Sequence, residues 1–279
     1  MSKKLLLAMT GLLLTLNTAS AYAASLAKGL KAFEAKDYST AMNELKPLIN
    51  DNNLDAMNIV GQMYEFGLGV EADEKAAVKL YNRCSAQGHL DCVNSLRAYK
   101  NKGYKVELKT VEPAAESGDA IAQNRLGEMY EFGYGVKRDA TEAFQWYTLA
   151  ADQGLVVAQH NLGRAYNFGT GVKQDFSMAE KWYRKAAEQG HMDAMFFLGA
   201  LYSNNHGAED DQQTNIIAYA WLQNALELGN QTATAIQSRI VMKLSDTELE
   251  QAKALAAEYK RSEERRVGKE CRSRGAPYH

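Results

Sequence analysis

The sequence predicts an all-α fold, a right-handed α/α superhelical solenoid of stacked helix–turn–helix units, and three observations carry that prediction. First, Ala122-Gln123-Asn124-Arg125-Leu126-Gly127 returns thirty-six residues on as Ala158-Gln159-His160-Asn161-Leu162-Gly163, and again thirty-six residues later as Ala194-Met195-Phe196-Phe197-Leu198-Gly199. Self-similarity at a fixed period of this length marks a repeat array. Second, Ala122, Leu126 and Tyr130 lie four apart, an apolar stripe at helical spacing with Gly127 beside it. Third, the chain holds only 3 prolines in 279 residues, and it is rich in alanine, as helices are. No such unit can bury its stripe alone, so neighbours must stack.

Taken in order, the chain opens on Lys3 and Lys4, an apolar run from Leu5 to Leu16, and small residues ending in Ala21-Tyr22-Ala23. This is the pattern of a cleaved export signal over 1–23, with cleavage near Ala23. The run is too short to cross about 30 Å of hydrocarbon, so no integral membrane segment is expected after cleavage. The expected location is periplasmic or secreted. Residues 25–54, with Phe33, Tyr38 and Pro47, read as a plain helical hairpin.

Four fuller units follow at 55–89, 119–154, 155–190 and 191–229. Each first helix carries a glycine (Gly61, Gly127, Gly163, Gly199) that lets a neighbour approach, and a tyrosine three residues on (Tyr64, Tyr130, Tyr166, Tyr202). Glycine-bounded turns come next at Gly67-Leu68-Gly69-Val70, Gly133-Tyr134-Gly135-Val136 and Gly169-Thr170-Gly171-Val172, decayed in the last unit to Asn205-His206-Gly207-Ala208. These glycines permit the left-handed backbone of a helix C-cap. Asp73, Asp139 and Asp175 then stand ready to cap the second helices, and Glu142 completes a capping-box pattern with Asp139. Residues 90–118 form a shorter, degenerate unit without the glycine turn, and 230–260 read as a closing helix pair. The end differs in kind. Arg261 to Arg274 reads RSEERRVGKECRSR, the in-frame translation of a DNA-sequencing adapter, so 261–279 is expected to be an artefactual tail.

Leu162-Gly163, Tyr166, Gly169-Thr170-Gly171-Val172 and Lys185-Ala186-Ala187-Glu188-Gln189-Gly190 resemble the Sel-1-like repeat family, a relative of the tetratricopeptide repeats. The resemblance covers most of 24–260, and the 25–54 hairpin resembles a plainer tetratricopeptide unit. It implies a non-enzymatic scaffold binding a protein or peptide partner, in envelope complex assembly, signalling or host-protein binding such as immunoglobulin.

Charge narrows the partners. Without 1–23 and 261–279 the chain has 24 basic against 31 acidic residues, a net of −7. Nucleic-acid binding needs a basic excess to neutralise phosphates, so no nucleic acid is expected. Cys84 and Cys92 occupy slots that are alanine in other units, one closing a second helix and the other opening the next first helix. In an oxidising compartment such a pair should bond, the alternative being free thiols. The pair also resembles the cysteine-rich branch of the family, where two cysteines with seven residues between them staple adjacent helices. A metal site would need more ligands than the nearby His89 supplies, and neither metal nor cofactor is expected.

The glycine pairs are repeat punctuation after helices, whereas a nucleotide loop needs a preceding strand. Ser25-Leu26-Ala27-Lys28 matches S-x-x-K, the nucleophile motif of penicillin-recognising enzymes, but S-D-N and K-T-G are missing. A β-lactamase-like or peptidoglycan-acting enzyme is therefore the alternative reading, without catalytic residues to support it. The expected binding surface is the polar face of the first helices, taken as the concave side: Asn58, Gln62 and Glu65; Asn124, Glu128 and Glu131; His160, Arg164 and Asn167.

Overall fold

The structure is a computed structural model that describes residues 21–206 and 211–273. Among these residues it is all helix, turn and loop, with no strand. Two compact units divide the chain, residues 1–103 and 104–279. The segment expected to be an export signal, 1–23, lies almost wholly outside the described residues, as do Gly207 and Ala208 of the decayed turn.

In the first unit, α1 (21–34) and α2 (Tyr38–Leu45) form the opening hairpin, closed by a 3₁₀ turn at Pro47–Ile49. Then come α3 (Leu54–Phe66) and α4 (Glu74–Ser85). Their shared core holds Ala41, Met42, Leu45, Ala56, Val60 and Met63. Asp37, Asn53 and Asp73 each cap the next helix by accepting from a backbone N–H three residues on. Cys84 and Cys92 are bonded and buried, linking the end of α4 to the start of α5.

Helix α5 (Leu90–Glu116) departs from expectation. The degenerate unit does not fold back into a hairpin; it is one 27-residue helix, and the unit boundary falls within it at Gly103. Without a glycine pair to admit left-handed backbone, the chain has no place to turn. Pro113 lies in its last two turns.

The second unit stacks α6 (Ala120–Phe132), α7 (Ala140–Asp152), α8 (Val156–Phe168), α9 (Phe176–Ala187), α10 (Met192–Ser203) and α11 (Asp211–Glu227). Each helix packs on the one before it and the one after it. Helices α12 (Ala233–Val241) and α13 (Asp246–Ser273) close the stack, with α13 laid along α11. There Trp221 stacks on Tyr259 at 4.3 Å, and Asn224 Nδ2 donates to the Ala256 carbonyl. The backbone of α13 runs through most of the tail that resembles an adapter.

The repeat motifs act as the sequence implies. Gly67, Gly133 and Gly169 are left-handed C-caps with φ between 65° and 74°. Asp139 caps α7 and Asp175 caps α9. One detail differs: the Asp139 N–H donates to the Tyr130 carbonyl, leaving none for Glu142, so the capping box is only half formed. Asp73 and Asp175 make the same bond to the Tyr64 and Tyr166 carbonyls. The recurring geometry thus ties α4, α7 and α9 each to the final turn of the first helix before it.

Candidate functional site

Each first helix is gripped from two sides, by its own second helix and by that of the preceding unit. The grip is close because of the helix glycines. A Cβ added at Gly61, Gly127 or Gly163 would lie 2.6–2.7 Å from the ring of Tyr81, Tyr147 or Tyr183. Two of these tyrosines reach across the hairpin: Tyr81 donates to Glu65 at 3.0 Å and Tyr147 to Glu131 at 2.6 Å. Burial, reinforced by the carboxylate, pushes both phenols far above their ordinary range.

The segment that follows each first helix's own unit covers part of the free face as well, and so corrects three of the nine positions expected to present it. Asn58, Asn124 and His160 are no more than 8% exposed. Two are joints between units. Asn124 accepts from Asn161 Nδ2 at 3.0 Å and donates to Glu128, while Asn58 accepts from Ser95 at 2.8 Å. Neither ring nitrogen of His160 has a hydrogen-bond partner. The other six are half-buried. Among them Glu131 pairs with Arg164 at 3.1 Å, one unit away, and Glu128 pairs with Arg125 at 2.8 Å. Gln62 and Asn167 line the edge, and the Asn167 carbonyl accepts from Gln174.

The face that remains open runs one position round the helix. On α6 it is Ile121, Arg125, Glu128 and Phe132; on α8 it is Val157, Asn161, Arg164 and Phe168. Its outstanding members are phenylalanines: Phe132 and Phe168 here, and Phe66 at the same repeat position in the other unit, are 51–60% exposed. Exposed phenylalanine at one recurring position is unlike the scattered apolar residues of an ordinary surface. Phe132 lies 5.4 Å from Tyr134, which stacks on Tyr104 at 4.4 Å, with the Arg125 guanidinium 5.8 Å over the Tyr104 ring. Glu107 grips Arg125 through two bonds, 2.7 and 3.0 Å, and is held below the usual carboxylate range by them. Phe168 lies 6.2 Å from Phe197. Beside Phe168, a small depression of about 20 Å³, room for about one water, is lined by Glu131, Phe144, Asn161, Arg164, Phe168 and Thr170, among others.

Sequence reasoning missed these phenylalanines although the signal was present. Each stands directly before the C-cap glycine, in Phe66-Gly67, Phe132-Gly133 and Phe168-Gly169. Two residues after the packed tyrosine, a helix has rotated about 200°, so both cannot face the core.

Ser25 and Lys28 do not form a nucleophile–base pair. Both donate to Glu44, at 2.6 Å each, clasping α1 to α2 and holding that carboxyl below its ordinary range. Among the described residues, no group of three or more His, Cys, Asp or Glu is placed to hold a metal ion. No helix among them is long and apolar enough to cross a membrane.

The model of the Sel1 repeat family matches residues 54–89, 120–155, 156–191 and 193–230. Among solved structures, the chain is similar to a protective antigen present in uropathogenic Escherichia coli strains displaying an SLR fold. The identity is 28%, the TM-score 0.53, and the match covers 94% of this chain and 58% of that one. The chain thus spans somewhat over half the length of that relative. It is also similar to a Sel1 repeat protein from Oxalobacter formigenes, at 29% identity and a TM-score of 0.45, covering 82% of this chain and 96% of that one. No curated protein sequence matches.

Proposed function

The chain belongs to the Sel1 repeat family, whose members are generally protein-interaction scaffolds, and on that premise we propose that it is an exported scaffold holding a partner protein on the face of its first helices. The observation that carries this reading is the recurrence of exposed Phe132 and Phe168 one repeat apart, on the face that also presents Asn161 and Arg164. Two apolar anchors flanking a polar seam suit a peptide segment with two apolar side chains and hydrogen-bonding backbone between them. Aromatic and arginine side chains are the groups that dominate such interfaces. The bonded Cys84–Cys92 pair supports a location outside the reducing cytoplasm, in the periplasm or beyond the cell. Envelope assembly and host-protein contact remain the roles toward which this reading points.

The test uses the full chain with a photo-crosslinker at Phe132, Phe168 or the exposed Leu149 on a second helix. Partners captured from 132 and 168 but not from 149 are then measured against Phe132→Ser/Phe168→Ser and Leu149→Ser. The reading expects at least ten-fold weaker binding for the first variant and unchanged binding for the second. Equal capture from all three positions, or full affinity in the double variant, overturns it.

A further inference from the structure

His160 and His191 are the only two histidines among the described residues whose rings touch, and nothing in the scaffold function requires them. His160 is buried on α8 with both nitrogens unpartnered. Its ring sits in a cage, edge-to-face with His191 at 4.6 Å, Phe197 at 5.6 Å and Tyr183 at 5.8 Å. His191 is the N-cap of α10, its Nδ1 accepting from the Ala194 N–H at 3.2 Å. The equivalent helices α3 and α6 are capped by Asn53 and Asp119, which accept whatever the pH near neutrality.

We propose that the His160–His191 contact is an acid-sensitive latch, which holds α10 against α8 while both rings are neutral and loosens that junction on acidification. The physical case has three parts. A protonated His191 Nδ1 can no longer accept from Ala194, and its charge would sit at the positive end of the α10 dipole. A protonated His160 would be a buried cation without a hydrogen-bond acceptor. Each cation would also repel the other across 4.6 Å. The charged groups facing the pair are Arg164 from α8, which opposes protonation of His160, and Asp193 from α10, which favours protonation of His191. From α9 the neutral Tyr183 ring offers no charge.

Burial and the neighbouring cations push His160 down to about 3, and burial lowers His191. A lowered histidine means that the unfolded state binds the proton first. The stability it supports is complete above the unfolded value of about 6.5 and is lost as pH falls from there toward the folded value. At pH 4.5 this linkage predicts about a hundred-fold loss in the local folding equilibrium from His160 alone.

Hydrogen-exchange protection factors for α10 and α3, measured on the full chain at pH 7.5 and 4.5, test the latch. In the parent protein, α10 should lose about a hundred-fold more protection than α3, the internal reference for general acid effects. His160→Asn, which installs the residue found at positions 58 and 124, should abolish most of that excess, and His191→Asn should remove part of it. Equal losses in the two helices of the parent would overturn the latch. So would an undiminished excess in a folded His160→Asn variant.

Discussion

At Gly163 an added Cβ would lie 2.6 Å from the Tyr183 ring, which is fully buried and has nowhere to retreat. Alanine is favoured over glycine in a helix by about 1 kcal/mol, but overpacking a filled site costs about 1–3 kcal/mol. The packing term should win, so Gly163→Ala is expected to destabilise the second unit by about 1 kcal/mol, read from its denaturation midpoint. A gain in stability would mean that the α8–α9 gap is wider than described. Tyr147 supplies a second case. Its hydroxyl donates to Glu131, which keeps only Arg164 once the hydroxyl is gone. Tyr147→Phe should therefore cost about 1 kcal/mol, and Glu131→Gln should cost less in that background than in the parent, because only the Arg164 pair is then left to lose. A double-mutant cycle measures that overlap directly.

Helices in this protein begin where a short acidic or amide side chain can accept and end where glycine can turn left-handed. Asp139→Ala and Asp175→Ala should each cost about 1 kcal/mol, and the effect should add in the double variant, since the two caps serve different helices. Thermal unfolding of the four proteins decides this. The disulfide works at the same scale. It closes a loop spanning 8 residues of sequence separation, for which chain entropy predicts about 2.5 kcal/mol. Cys84→Ala/Cys92→Ala should lose about that much and still fold, because alanine fills these slots elsewhere. This is also the scale at which the sequence was most readable. Period, caps, turns and the cysteine bond could all be read because each is a local pattern with a local physical cause. The face of the first helices could not be placed so well. Asn124 and His160 are polar, and polarity suggests exposure, whereas burial there is decided by the first helix of the following unit. The long α5 was equally hidden, since a missing turn leaves no residue to mark what replaces it.

At the scale of the whole chain, two compact units imply two separate responses. Breaking the disulfide should raise hydrogen exchange within residues 1–103 and leave α6 to α10 unchanged; a rise spread evenly over both units would show that they unfold as one. Repeat arrays sum contributions from neighbouring units, so damage should fade with distance along the stack. The distribution of one residue type makes this easy to watch. The chain has 3 tryptophans, at positions 146, 182 and 221, all beyond Gly103, and Trp182 and Trp221 are almost wholly buried. Their emission is therefore an intrinsic optical signal for one half of the protein, to which the opening hairpin, α3 and α4 are invisible. Fluorescence and far-ultraviolet circular dichroism recorded on a single sample should part company whenever the halves melt at different temperatures, and the order of the two curves names the weaker half without any label.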